Sequence, residues 1–330
     1  MYFYGATLDD LLHRVLEKLL KSHHRINPTR GGATELAGVL LKLANPRARL
    51  SRTEKKGHIF SPLGELLWYL TKKNDVKFIQ YYVERYAKES DDGRTVHGGY
   101  GPRLFAMRGC NQVENVLQLL KDSPDSRRAV IQLFDAPDIA KRHKEIPCTC
   151  TLQFLVRRKR LHLFVHMRSN DAFIGLPHDI FAFTMLQEIF ASKLGLQLGC
   201  YKQSIGSLHL YDTHRHRAEA YINEGWQESA IMPAMPTGNP WAAVKDVLSA
   251  EKKIRAGAKF EVGKSNLHRY WKDIMRLLQI YRAFKDKDGK KISQIKREMT
   301  ERVYDQYIDA KRKSAHAKAT KASVDQPSLF

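Results

Sequence analysis

Residues 146–179 read IPCTCTLQFLVRRKRLHLFVHMRSNDAFIGLPHD, and this stretch decides the fold. CTCTLQFLV and LHLFVHMR are two runs rich in apolar and β-branched residues. They are joined by Arg157–Arg160, which predicts a β-hairpin with a solvated basic turn. The loop SNDAFIGLP follows, and then a long apolar helix from His178 to Leu194. Working outward, AVIQLF within Arg127–Phe134 predicts a buried strand before the hairpin, and Tyr201–Tyr211 another after the helix. Upstream, leucines and a valine at helical spacing put a helix over residues 7–23. Asn27–Gly32 is a turn-rich loop, Pro62 opens a helical run through GELLWYL and FIQYYVERY, and ESDDGRTVHGGYGPR reads as loop. Beyond the proline-rich MPAMPTGNPW the chain is mainly helical. Helices and strands do not alternate, which favours α+β over a doubly wound sheet.

Composition bounds the function. The 330 residues are 43% hydrophobic and 28% charged, the profile of a globular protein with ample core. No apolar run approaches membrane-spanning length, and MYFYGATLDDLLHR lacks the plan of a signal peptide. Cys110, Cys148, Cys150 and Cys200 have no disulfide-framework spacing, and Cys148 and Cys150 sit too close along one strand to pair; a reducing cytoplasm is expected. The net charge of +21 calls for polyanionic partners, whether nucleic acid, nucleotides or an anionic cofactor. Residues 285–330 hold twelve Lys/Arg against seven Asp/Glu, so most of the excess lies in the body of the chain. The expected organisation is a catalytic unit over 1–285 and a basic helical extension over 286–330, whose end has a disordered composition.

A cysteine at the head of a strand is most simply a small buried apolar residue. Pro147–Cys148, however, has arginines nearby, and a guanidinium lowers a thiol pKa toward the reactive thiolate. Arg168–Ser169, at the end of the partnering strand, combines a cation, a hydroxyl and loop amides as a phosphate clamp would; Arg127–Arg128 could add two more forks. Each arginine alone reads equally as a surface ion pair. His214 and His216 fall short of a four-ligand zinc set, and no metal is expected.

Seven short runs then stand in order: RGGAT from Arg30, ELLW at Glu65–Trp68, Tyr100–Gly101, Arg127–Arg128, IPCTCTLQF, RSNDAFIGLPHD and GSLHLYDTH at Gly206–His214. Together they resemble thymidylate synthase and the related pyrimidine-nucleotide hydroxymethylases, over about residues 25–240. The resemblance implies an α+β fold whose large twisted mixed sheet, flanked by helices, forms the interface of a homodimer. It implies Cys148 as the nucleophile on C6 of a pyrimidine nucleoside monophosphate, because C5 reacts only once C6 is saturated. Arg30, Arg168 and Ser169 would hold the phosphate, with Arg127 and Arg128 reaching across from the second subunit. His209 and Tyr211 would meet the 3′-hydroxyl, Glu65 would organise water and protons, and Tyr100 would lie near C5. Asp171 and Gly175 would meet 5,10-methylenetetrahydrofolate, the one-carbon donor.

Departures from the family pattern narrow the reading. Where the synthases have G-x-P-F-N, this chain has Gly175, Leu176, Pro177, His178 and Asp179. The family asparagine binds uracil; an aspartate sharing a proton with N3 and accepting from the 4-amino group suits cytosine. Asp179 could instead cap the following helix. The tryptophan that shields the one-carbon unit from water has no counterpart between Trp68 and Tyr100, although Tyr81, Tyr82 and Tyr86 could fill part of the space. Thr149, Met167 and Ser207 replace the family's histidine, glutamine and aspartate. The expectation is a folate-dependent CMP or dCMP 5-hydroxymethylase. Thymidylate-synthase-type methylation of dUMP is the alternative within the family. A basic nucleic-acid-binding protein on the same fold is the alternative of another class, although a nucleic-acid partner is not expected.

Overall fold

The computed structural model describes residues 1–53 and 58–313. Among them, seven strands form one mixed sheet: β1 Tyr2–Gly5, β2 Arg25–Ile26, β3 Ala33–Leu43, β4 Val130–Gln132, β5 Thr149–Arg157, β6 Arg160–Asp171 and β7 Gln197–Tyr211. Their order is β1-β3-β7-β6-β5-β4, with β2 paired to the start of β3. The β1–β3 and β6–β7 pairs are parallel and the rest antiparallel. Ten α-helices flank the sheet: α1 Leu8–Leu20, α2 Phe60–Leu70, α3 Val76–Tyr82, α4 Tyr100–Ala106, α5 Gln112–Asp122, α6 Gly175–Leu194, α7 Arg215–Asn223, α8 Pro240–Arg255, α9 Arg269–Lys285 and α10 Gly289–Glu298. The expected α+β class with a large mixed sheet is what the chain adopts.

The hairpin forms as expected, pairing Arg157 with Arg160 across a two-residue turn. Arg158 and Lys159 both adopt left-handed backbone, with φ of 50° and 57°, the geometry that matches strand twist in tight hairpins. Helix α6 begins at Gly175 rather than His178. It is buried almost all round from Ile180 to Ser192, because the sheet lies on one side and α2, α5 and α8 on the others.

Other elements differ from the sequence reading. The predicted AVIQLF strand narrows to Val130–Gln132, an edge strand with Ile131 buried and Val130 exposed. Tyr100–Gly101 opens α4 instead of continuing the loop. The longest difference is β3, eleven residues that the sequence reading passed over. It pairs with β7 from Ala33↔Tyr211 to Leu43↔Tyr201 and fixes the end of β7 beside Glu35.

Within the basic C-terminal segment, Ile292, Ile295, Met299, Tyr304, Tyr307 and Ile308 join the same apolar cluster as the rest of the chain. The disordered end expected there lies outside the described residues. No helix among the described residues is long and apolar enough to cross a membrane. On the sheet, Tyr2, Tyr4, Leu40 and Val130 remain exposed.

Candidate active site

Every residue to which the resemblance gives a catalytic, nucleotide-binding or folate-binding role, except Arg127 and Arg128, lines one cleft of about 440 Å³. It opens where the C-terminal ends of β6 and β7 meet the start of β5, the N-terminus of α6 and one face of α2. Arg127 and Arg128 lie exposed ahead of β4, away from this cleft.

Cys148 stands one residue before β5, next to an irregularity in the β5–β6 register between Thr149 and Thr151. Such bulges re-aim side chains at the ends of strands. Arg168 of β6 is aimed at this point by several bonds. Its backbone N–H donates to the Cys148 carbonyl (2.9 Å), Nε to the Pro147 carbonyl (2.9 Å), and Nη2 reaches the Ile146 carbonyl (3.3 Å) and Cys148 Sγ (3.8 Å). Burial pushes the Cys148 thiol up to about 11, Arg168 opposes it, and the Glu145 and Asp179 carboxyls add to it. The sulfur therefore rests as a thiol with a cation at its side.

Tyr100 is pinned next to it. Its hydroxyl donates to Thr149 Oγ1 (2.9 Å) and accepts from the Thr149 N–H (3.2 Å), while burial raises its pKa well above the usual phenol range. Thr149 thus serves as an anchor for the Tyr100 hydroxyl.

Glu65 and Asp179 face the cleft from α2 and α6. Burial pushes Glu65 up, but the hydrogen bond and charge of His178, with the Tyr86 hydroxyl, outweigh it and hold the carboxyl below its ordinary value. His178 Nδ1 lies 2.8 Å from Glu65 Oε2, and Tyr86 Oη donates to Oε1 at 2.6 Å. Asp179 goes the other way: burial, then the charge of Glu65, raise it well above the carboxylate range despite a hydrogen bond from Asn170. Both influences favour the protonated form of Asp179. Because α6 starts at Gly175 with Ile174 as its N-cap, Asp179 lies inside the helix and does not cap it.

Arg30 forms an ion pair with Glu89 at 2.7 Å, and both line the cleft. Asp171 Oδ1 accepts from the N–H groups of Phe173 and Ile174 (2.8 and 3.0 Å), which turns the chain from β6 into α6. A Cβ on Gly175 would lie 2.5 Å from Asn170 Oδ1, so glycine makes room for the amide that steadies Asp179. His209 and Tyr211, alternate residues on β7, pack edge to face at 4.8 Å. Burial lowers the His209 pKa, and its Nδ1 is buried with no hydrogen-bond partner in the described structure.

Sequence reasoning missed Glu145 and Arg85. Glu145 Oε2 is buried with no hydrogen-bond partner among the described residues; burial and the Glu89 charge push the carboxyl up to about 7. A Cβ on Gly98 would fall 2.1 Å from that oxygen, so the carboxyl occupies a space that glycine vacates. Its position three residues before Cys148 was a legible signal. Arg85 enters from the 3₁₀ turn Glu84–Lys88, and nothing in its local sequence marks it. Of the three tyrosines considered as space fillers, Tyr86 lines the cleft, whereas Tyr81 and Tyr82 pack on Tyr281.

A second cavity adjoins the first and shares Arg85 and His178 with it. Phe60, Tyr82 and Tyr281 supply aromatic surface there, and Arg85 and Lys311 positive charge. That donor set fits a ligand with an aromatic ring and a carboxylate tail, as a folate has.

The thymidylate synthase family model matches residues 7–239. Among curated proteins, a deoxyuridylate hydroxymethyltransferase of Delftia phage PhiW-14 is 31% identical over 195 residues, 55% of this chain and 54% of that protein. The chain thus spans about half the length of the curated relative it matches.

Proposed function

The chain belongs to the thymidylate synthase family, and from that premise we propose that it transfers a one-carbon unit from 5,10-methylenetetrahydrofolate to C5 of a cytosine nucleotide, CMP or dCMP, and adds water to give the 5-hydroxymethyl product. The observation that carries this reading is the pairing, in the cleft of Cys148, of two carboxyls shifted in opposite directions: Glu65 lowered by its bonds to His178 and Tyr86, and Asp179 raised by burial. Carboxyls pushed apart in this way divide acid and base roles between them.

A neutral Asp179 donates its O–H to N3 of cytosine while its carbonyl accepts from the 4-amino group. The proton can pass to N3, which strengthens the pair by charge and withdraws electrons from C6. C6 is then open to Cys148 Sγ. As the S–C6 bond forms, the thiol proton passes to water in the cleft and the C5=C6 pair moves toward N3, making C5 nucleophilic. Arg168 stabilises the developing thiolate. Arg30, Arg168 and Ser169 are read as the phosphate site, with Glu89 yielding Arg30 to the incoming anion. His209 and Tyr211 address the sugar.

Methylenetetrahydrofolate, when bound, supplies carbon at the oxidation level of formaldehyde. Asp171, Gly175 and the aromatic and cationic residues of the adjoining cavity are the groups read as holding it. Tyr86 and Glu65 make the neighbourhood of C5 polar, which supports water as the final acceptor over hydride transfer. The exposed apolar residues on the sheet support a homodimer in which Arg127 and Arg128 complete the phosphate site of the second copy.

A second reading is deoxyuridylate as substrate. The neutral acid turned over presents its O–H to O4 of uracil and its carbonyl to N3–H, and the phage relative bears a deoxyuridylate name. Incubation of the protein with methylenetetrahydrofolate and CMP, dCMP or dUMP, followed by product mass, separates the two. A gain of about 30 mass units on CMP or dCMP, abolished by Cys148→Ser, is expected from the elements of CH2O. The same gain on dUMP alone would move the assignment to uracil, and about 14 units with dihydrofolate formation would make it a methylase.

A further inference from the structure

We infer that His178 is a positioning residue that clamps Glu65 in the orientation needed to take a proton from the water that completes the reaction. The inference rests on the hydroxymethylation reading above. Ser61 and Glu65 are four residues apart on α2 and present the same face of that helix. His178, from α6, bridges them: Nδ1 donates to Glu65 Oε2 at 2.8 Å and Nε2 meets Ser61 Oγ at 3.2 Å. Tyr86 holds the other oxygen at 2.6 Å. Both carboxylate oxygens are thereby fixed, and each keeps a lone pair for a water in the cleft.

The placement is specific. His178 lines both the nucleotide cleft and the adjoining cavity, so it stands where base and one-carbon unit would meet. Its neighbour Asp179 is the base-reading residue, so one turn of α6 carries both the group that reads the base and the group that steadies the water's partner. In the step it serves, the water oxygen bonds to the exocyclic methylene carbon on C5 and a water proton passes to Glu65. The methylene π pair moves to C5 and onward to expel sulfur from C6, restoring the C5=C6 bond.

Glu65 faces His178 and Asp179 from α6, Tyr86 and Arg85 from the Glu84–Lys88 turn, and Tyr69 from its own helix. Of these, His178 contributes most to keeping it ionised against burial. Without the imidazole, burial dominates, Glu65 titrates higher and the acid limb of the rate profile moves up.

The test uses the full chain as wild type, His178→Phe and His178→Gln with methylenetetrahydrofolate and 5-tritiated CMP or dCMP. Tritium release reports loss of the C5 hydrogen, and hydroxymethyl nucleotide reports water addition. Wild type is expected to give the two in equal amounts. His178→Phe is expected to keep nucleotide KM within about twofold, to form at least about tenfold less hydroxymethyl product per tritium released, and to shift the acid limb of kcat upward by about one pH unit. His178→Gln, which retains a donor to Glu65, is expected to recover much of that ratio. An unchanged product ratio and acid limb in His178→Phe, or no recovery in His178→Gln, overturns the assignment. Absence of tritium release in wild type instead overturns the functional reading itself, and the two failures are told apart by that control.

Discussion

The Arg168 guanidinium reaches Cys148 Sγ at 3.8 Å while its Nε is tied to the Pro147 carbonyl, so the cation is held against the sulfur before any ligand arrives. Arg168 is the largest influence opposing the burial that pushes this thiol up to about 11. Removing it leaves the smaller influence of Arg30 against burial and two carboxyls. Arg168→Ala is expected to slow iodoacetamide alkylation of Cys148 at pH 8 by about tenfold, one pKa unit of thiolate population. Arg168→Lys keeps the charge but loses the fork that fixes it, and should fall between. Equal alkylation rates in all three proteins would remove Arg168 from the activation of this cysteine.

On the cytosine reading, Asp179 offers the base a proton that an amide cannot transfer. Asp179→Asn is expected to raise the ratio of kcat/KM for dUMP over dCMP by at least about tenfold, within the 1–3 kcal/mol typical of a mismatched polar contact. A pH effect follows from the same group. Burial raises its pKa well above the ordinary carboxylate value, so turnover that needs the protonated form should decline as pH rises. The basic limb should vanish in Asp179→Asn; its persistence there would assign it to another group.

Glu145 weakens the folded state as pH rises. Below its ordinary value of 4.5 it is protonated whether folded or unfolded. Between there and about 7 the unfolded chain sheds the proton while the folded chain keeps it, so stability falls with pH across this window and levels off above about 7 with the full penalty of this one group. Glu145→Gln should therefore gain about 2 kcal/mol over wild type in urea unfolding at pH 8, and little at pH 5. It should also speed Cys148 alkylation at pH 8, because the Glu145 charge raises that thiol. A stability difference that does not depend on pH would contradict the buried-carboxyl account.

Gly101 has a packing role. A Cβ there would lie 2.2 Å from the Lys73 carbonyl oxygen and 2.7 Å from its nitrogen, both backbone atoms that cannot swing aside. Gly101→Ala should destabilise the protein by about 3 kcal/mol and displace Tyr100 from Thr149. Gly289→Ala, at the start of α10 with nothing within 4 Å, is the control and should stay within about 0.5 kcal/mol. Thermal melts of the two variants make the comparison.

Much of the site was legible because its chemistry sits at strand ends in short ordered runs. The hairpin around Cys148 and Arg168 is written in two apolar runs and a basic turn, and the structure keeps both. β3 was not legible: its value lies in pairing with β7, more than 150 residues away, as in Glu35↔His209. Periodicity reports a local environment, and a strand like ATELAGVLLKL becomes a strand through its partner.

The sequence by itself determined which residue types stand in order along the chain: a cysteine at a strand head, arginines near it in sequence, and Asp179 four residues after Gly175. It did so because residue types and their order survive without coordinates. Only the tertiary structure decided what state those groups are in. Glu65 and Asp179 are the same kind of acid in sequence; packing buries both, but His178 and Tyr86 outweigh burial and lower the pKa of Glu65, whereas burial and the Glu65 charge raise that of Asp179. Glu145, unremarked in sequence, becomes a buried acid for the same reason: desolvation is a property of the assembled cleft.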